Sequence, residues 1–597
     1  MKRLSLIYNN NHHLKVKNIK DLLIISMSND LNNLLKSQNI QFKSYKEYID
    51  EGKLPFIVDK DTVNLSLNWP NYVSDPNFKN LITHRGILLS EVINLGFELY
   101  YQKVLAQLEI IIQIMEKENP EEVILLDDPE FPYLRALGCF NVKVTRIKIN
   151  NTKYHFNQYK KFIAARYFKT LAINANASFK NVKKQEESSK PRIILINYMH
   201  LDFPSLSPLI PELKKKFQVD VMALEFHQQK AFRDAGIFYK SFKDYKIKVD
   251  TGLIDKSFDN IKNAHLLIKD DNEFKNNYKY KNIKLYDIVI DELNYIFRKH
   301  FIESVYYIEY FNSIFKNYNV NTIALASDVL RTGKIAAKVA ELNKIVAVTV
   351  QHGAIGERAG RYGYLPISSA KFACWGKTSK EALIGYGGDE KKIIVTGSPR
   401  YDSLIKKEGF KSKEDIYLLF NLKPEDKIVV YATNVMPEQE LMFTALAKAC
   451  NELNLKLILA LHPADKEQFY ANICTKNNWQ LLVSKDFANL FSLINYSEVF
   501  VTKASTVAIE AMIIEKPIIT MNFTTAPDRL PFAKLGAAIG VYRPEDLKNA
   551  VEEILTKENI KSNLKKKAEE FLEDYIYSLD GKSTERVVNL IKSLIKP

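Results

Sequence analysis

Short runs of continuous apolar residues alternate along most of the chain with longer stretches in which apolar positions recur every three or four residues. Runs of the first kind suit strands covered on both faces, and the second spacing suits helices, so the pattern predicts parallel sheets in an α/β fold. A strand is predicted over Leu4–Tyr8, a helix from about Leu88 to Lys117, and a strand over Val123–Leu126 that ends on Asp127 and Asp128. The polar, Pro-closed stretch Lys183–Arg192 reads as a linker. Strands follow at Ile193–Asn197, Gln218–Phe226, Thr322–Ser327 and Ile345–Val350, with a helical stretch rich in Tyr, Phe and Lys between the second and third. The pattern restarts after the charged segment Lys406–Asp426, with strands at Lys427–Ala432, Leu455–Leu461, Glu498–Thr502 and Pro517–Met521.

The predicted layout is an N-terminal α/β domain (residues 1–182), a linker (183–192), two doubly wound Rossmann-like domains in tandem (193–405 and 406–575), and a C-terminal helix (576–597). The segment Asn119–Asp128 is echoed by Asn319–Asp328, a likeness that the shared βα pattern of such folds suffices to explain.

Composition narrows the classes of function. In 597 residues, 46% hydrophobic and 26% charged content is that of a globular protein and excludes wholesale disorder. Four widely spaced cysteines without a CxxC pair exclude a zinc ribbon or disulfide scaffold and suit a reducing compartment. The net charge of +15 suits anionic partners such as nucleotides and sugar phosphates. It is not gathered into long Lys/Arg blocks, which argues against a nucleic-acid partner. No run approaches the roughly 18–20 apolar residues that cross a bilayer, and the apolar stretch after Met1–Arg3 is too short for a signal sequence. A cytoplasmic location is expected, with peripheral contact at the inner membrane.

In open parallel sheets ligands collect outside the carboxyl ends of strands, so candidate chemistry is sought there. Lys503, Ser505 and Thr506 follow the strand Glu498–Thr502, with Glu510 one helical turn on. This junction offers hydroxyls and free N–H groups to a phosphate, with Glu510 available to ribose or sugar hydroxyls. The plain alternative is an N-cap serine and an ordinary first-turn acid. His462 and Pro463 end the strand Leu455–Leu461, where an imidazole can donate to a phosphate. Gln351 and His352 end Ile345–Val350 and lead into a Gly-rich loop that carries Glu357. His352 is a candidate general base, and Glu357 a further acid–base candidate. Gly397–Asp402 follows Ile393–Thr396 as a hinge-like crossover, where Arg400 can clamp a phosphate or pair with Asp402. Asp328, after Thr322–Ser327, is a second base candidate.

The tracts QHG (Gln351–Gly353), GSPRYD (Gly397–Asp402), HP (His462–Pro463) and KAST (Lys503–Thr506), in this order, resemble those of the GT-B glycosyltransferase superfamily. Bacterial surface and capsular polysaccharide transferases and the CDP-glycerol glycerophosphotransferases of teichoic acid synthesis are the relatives they suggest. The resemblance covers roughly residues 320–550 and implies two Rossmann-like domains facing a cleft. It also implies transfer of a sugar from a nucleotide-activated donor, CMP- or UDP-linked, to a glycan or lipid-linked acceptor. In that scheme His462, Ser505 and Thr506, assisted by Arg400, hold the donor, and His352 matches the position proposed as base in the glycerophosphotransferases. The HP and Ser/Thr pair is also similar to that of CMP-sugar-dependent transferases, whose acidic D/E-D/E-G motif is missing here; Asp127–Pro129 is no substitute. No DxD tract follows a strand, so neither a metal nor another cofactor is expected. Three alternatives stand beside this reading: a CDP-glycerol-type polyol-phosphate transferase, a UDP-N-acetylglucosamine 2-epimerase-like enzyme, and an inactive nucleotide-binding scaffold on the same fold. The epimerase tract S-G-G-x-Q-E-E reads here as Ser505 to Ala511 without its glycine pair.

Overall fold

The computed structural model describes residues 2–50, 53–128, 130–149, 190–197, 200–224, 226–234, 236–355, 363–436, 438–462, 465–484, 489–503, 505–524, 527–528 and 530–595. The predicted linker falls largely outside these residues. The chain divides into two compact units. Unit 1 comprises residues 1–186, 241–317 and 330–339, and unit 2 comprises 187–240, 318–329 and 340–597.

Unit 1 is built on a five-stranded parallel sheet of β1 (Arg3–Ile7), β2 (Leu22–Ser26), β3 (Lys43–Ser44), β4 (Glu122–Asp127) and β5 (Lys143–Lys148), in the order β3-β2-β1-β4-β5. Helix α1 (Asn10–Val16) follows β1, and the 25-residue α2 (Asn94–Glu118) precedes β4. Residues 241–317, expected within the 193–405 domain, belong to unit 1 instead. Their helices α3 (Thr251–Asp270) and α4 (Ile302–Asn317) bury apolar stripes there. Helical periodicity shows that a face must be covered but does not name the surface that covers it.

Unit 2 carries two six-stranded parallel sheets. The first holds β6 (Arg192–Asn197), β7 (Gln218–Ala223), β8 (Val320–Leu325), β9 (Val346–Val350), β10 (Lys371–Cys374) and β11 (Ile393–Val395), in the order β11-β10-β9-β8-β6-β7. The second holds β12 (Ile428–Ala432), β13 (Lys456–Ala460), β14 (Leu482–Ser484), β15 (Val499–Thr502), β16 (Ile518–Met521) and β17 (Ile539–Val541), in the order β14-β13-β12-β15-β16-β17. Alternation along β12 shows how this sheet is held. Ile428, Val430 and Ala432 enter one core, while Val429 and Tyr431 enter the core on the opposite face. With both faces covered, each buried aliphatic side chain contributes roughly 1.5–3 kcal/mol.

Among the helices of unit 2 are α5 (Val507–Ile513), α6 (Glu558–Ile576) and α7 (Ser583–Leu594). Phe571, Leu572, Tyr575 and Ile576 of α6 pack in the core that contains Trp375 and Tyr401, and Val587, Val588 and Ile591 of α7 pack on the first sheet. The C-terminal segment therefore ties the two sheets of unit 2 together. Among the described residues no helix is long and apolar enough to cross a membrane.

Candidate functional site

The tracts at the carboxyl ends of β8, β9 and β11 are fixed by backbone-directed hydrogen bonds. Gln351 is fully buried. Its Oε1 accepts from the Trp375 amide at 2.9 Å, and its Nε2 donates to the Gly353 carbonyl at 2.8 Å. The Trp375 indole N–H donates to the Gln351 carbonyl at 3.0 Å. His352, half-buried between these anchors, places Nδ1 2.7 Å from the Ala326 carbonyl. A carbonyl only accepts, so the contact assigns the ring proton to Nδ1 and leaves the lone pair of the neutral imidazole on Nε2. Tyr364 packs its ring 5.0 Å from that of His352, and its hydroxyl both accepts from the Gly353 amide at 2.8 Å and donates to the Gly353 carbonyl at 2.7 Å.

Arg400 joins this group to the second sheet. Its Nη1 donates to the His352 carbonyl at 3.3 Å and its Nη2 to Glu510 Oε1 at 2.8 Å. Glu510, on α5, is only 1% exposed. Burial pushes its carboxyl above the ordinary value, and the Arg400 guanidinium opposes that shift. Glu510 Oε2 finds no hydrogen-bond partner among the described residues. The structure thus brings together three residues, His352, Arg400 and Glu510, from three separate tracts. It corrects two expectations. Glu510 does not stand open at a mouth for sugar hydroxyls but is buried against Arg400, because its helix face packs into the core. Asp402 does not pair with Arg400: its two oxygens accept from the amides of Ser583 (3.1 Å) and Thr584 (2.7 Å), at the start of α7.

The expected hinge at Gly397–Asp402 is consequently pinned. Gly397 has φ +79°, and a Cβ there would lie 2.4 Å from Ser583 Oγ. Arg586 Nε donates to the Thr396 carbonyl at 2.7 Å.

On the second sheet, β12 lies between β13 and β15, so the residues that follow these three strands share one edge. His462 is exposed, and its amide donates to Thr433 Oγ1 at 3.0 Å. The Ser505 amide donates to Thr502 Oγ1 at 3.2 Å, and Ser505 Oγ accepts from the Val507 amide at 3.2 Å. Ser505 therefore acts as a local cap for the first turn, and Thr506 is the N-cap residue of a helix only seven residues long. Hydroxyls rather than a long helix dipole are what this junction presents. Lys503 forms an ion pair with Glu438, which neutralises the charge expected to meet a phosphate. Asp328 also departs from expectation. It is 1% exposed and its Oδ2 accepts from the amides of Ser368 (2.8 Å) and Ser369 (2.7 Å), so it holds a loop instead of facing a substrate. Glu357 and Pro463 lie outside the described residues.

Three residues in this arrangement escaped the sequence reading: Thr433, Glu438 and Tyr364. Thr433 directly follows Ile428–Ala432, and the strand-end rule applied to His462 would have found it. The other two carry no local signal, since their roles depend on partners 65 and 11 positions away. Among the described residues, no three His, Cys, Asp or Glu side chains group in a way that would hold a metal ion.

Residues 303–592, a little under half of the chain, match the family model for UDP-N-acetylglucosamine 2-epimerase. No curated protein matches the chain significantly. Among solved structures, similarity extends to a Listeria monocytogenes protein provisionally assigned as a UDP-N-acetylglucosamine 2-epimerase (16% identity, 68% of this chain and 96% of that one, TM-score 0.47). It extends also to the Neisseria meningitidis UDP-GlcNAc 2-epimerase bound to UDP-GlcNAc (13% identity, 67% and 100% covered, TM-score 0.44). A glycosyltransferase from Rickettsia africae is similar at 12% identity, with 68% and 100% covered and a TM-score of 0.40.

Proposed function

We propose that unit 2 is a nucleotide-sugar enzyme that binds a UDP-linked sugar where the carboxyl ends of its two sheets meet around Arg400, in a GT-B-like cleft. The observation that carries this reading is the Arg400 bridge, which bonds the His352 carbonyl from one sheet and the Glu510 carboxylate beside the other. The family match over 303–592 supports it by spanning all four tracts. In this scheme the Ser505 and Thr506 hydroxyls and His462 hold the diphosphate, and Arg400 assists as a hydrogen-bond donor. Glu510 keeps the guanidinium in place, and preorganised donors of this kind spare the site any reorganisation as charge develops on the departing nucleotide. Lys503, paired with Glu438, is given no role in binding.

The family match favours epimerisation at C2 of the sugar over transfer, which reverses the weighting that the motif order alone suggests. Inverting C2 requires its proton to leave on one face and another to return on the opposite face, while the C1–O bond to the nucleotide breaks and then re-forms. His352, with Nδ1 donated to the Ala326 carbonyl, presents Nε2 to take the departing proton, and solvent supplies the returning one. No metal is assigned a part. Transfer to a glycan acceptor is retained as a second reading because Thr506 and Val507 stand where the epimerase tract has its two glycines. A β-branched pair keeps backbone and diphosphate farther apart than glycines would.

Incubation with UDP-N-acetylglucosamine alone in deuterated water separates the two. Epimerisation converts the donor without an acceptor and leaves deuterium at C2. Conversion that occurs only when a glycan acceptor is added establishes transfer instead. Failure to bind UDP while CMP or CDP binds overturns the choice of nucleotide.

A further inference from the structure

We infer that unit 1 contains a second ligand site, for a neutral saccharide, at the carboxyl edge of its sheet between β1 and β4. The inference is independent of the reading of unit 2. Its location follows from topology. In the order β3-β2-β1-β4-β5 the chain winds outward in one direction from β1 and in the other from β4, and right-handed crossovers send the connections after these neighbours to opposite faces. Parallel sheets open a crevice for ligands at such a reversal.

The loops that form this edge are clamped to one another. His12 Nδ1 accepts from the Tyr8 amide at 3.3 Å, so its proton sits on Nε2, which donates to Asp128 Oδ2 at 2.8 Å. Both partners are buried, and both ring nitrogens are engaged, so this pair positions the two loops and does not itself meet a ligand. The Asp128 carboxylate also accepts from the Glu130 amide through Oδ1 at 2.9 Å, shaping the second loop.

What the clamp leaves partly exposed is chemically specific. The rings of Tyr8 and Phe131 stack 4.6 Å apart and both are half-buried, beside exposed Glu130 and half-buried Asn9, whose Oδ1 also accepts from the His12 amide at 3.1 Å. An aromatic face next to amide and carboxylate oxygens suits the C–H face and hydroxyls of a pyranose ring. It does not suit a phosphate. Asp127, Asp128 and Glu130 are all acidic, and the nearby guanidinium of Arg135 is drawn to Asp127 at 3.8 Å and Asp291 at 4.0 Å. The electrostatics of this edge are thus opposite to those proposed for unit 2.

Saturation-transfer NMR on the full chain, with lactose, maltose, cellobiose, mannobiose and diacetylchitobiose as probes and inorganic phosphate and UMP as counter-probes, tests the inference. At least one disaccharide is expected to show saturable transfer that survives Ser505→Ala/Thr506→Ala. Loss of the aromatic face in Phe131→Leu, which keeps apolar volume for packing, should weaken it about tenfold, and Glu130→Gln should weaken it severalfold. The inference is overturned if no disaccharide responds, if the response is unchanged in both Phe131→Leu and Glu130→Gln, or if phosphate or UMP binds in a Phe131-dependent way. A response abolished by Ser505→Ala/Thr506→Ala would assign the saccharide to unit 2 and equally overturn it.

Discussion

Replacing Arg400 by Met tests the central electrostatic feature of unit 2. The substitution keeps an apolar stem but removes the cation that faces Glu510, a carboxylate 1% exposed with one oxygen already without a partner among the described residues. Leaving one member of a buried pair uncompensated costs about 3–5 kcal/mol. The Arg400 side chain is itself 20% exposed, so solvent screening lowers the expected loss to about 2–3 kcal/mol. The pH dependence is diagnostic. Burial raises the Glu510 carboxyl above its ordinary value, so the folded state holds that proton more tightly than the unfolded one. Stability from this group is therefore greatest below the unfolded value and declines as pH rises through the folded one. Without Arg400 the folded value rises further. The deficit of Arg400→Met should then be smaller at mildly acidic pH than at mildly alkaline pH in urea denaturation followed by circular dichroism. Adding Glu510→Gln, which removes the charge, should restore most of the loss at the higher pH. Equal deficits at both pH values, or a double variant no more stable than Arg400→Met, would refute the reasoning.

Other outcomes follow from the same geometry. Ser505→Ala/Thr506→Ala, and separately His462→Ala, should weaken UDP binding at least about tenfold by calorimetry while leaving the melting transition in place. His352→Gln should lower kcat by about 10²–10⁴-fold with little change in KM, whereas a change confined to KM would make His352 a binding group. Asp402→Ala removes the cap of α7 and should cost about 1–2 kcal/mol of stability without altering UDP affinity. A loss of affinity there would return Asp402 to the binding site.

Much of the sheet framework is legible in the sequence because its strands are buried on both faces and so appear as unbroken apolar runs. β6, β8, β12 and β15 stand out for that reason. β5 escapes because all its residues are half-buried or exposed and form no apolar run, and the four- and three-residue strands β10 and β14 are too short to be distinguished by period alone, whereas the equally short β11 is legible at Ile393–Thr396. The site is legible in its residue types and not in its pairings. The GSPRYD tract announces a cation and a carboxylate at its fourth and sixth positions. Only tertiary structure sends Arg400 to Glu510, 110 positions away, and Asp402 to the start of α7, 181 positions away. Lys503 shows the same limit: a lysine at a strand end reads as a phosphate ligand until Glu438, from the loop after a neighbouring strand, neutralises it.

The most direct measurement of the central claim is hydrogen–deuterium exchange of the full chain with and without saturating UDP. The account predicts slowed exchange in the peptides that contain His352, Arg400, Thr433, His462 and Ser505–Glu510, with the sheet of unit 1 unchanged. Protection confined to unit 1, or to the faces of unit 2 away from these strand ends, would contradict it.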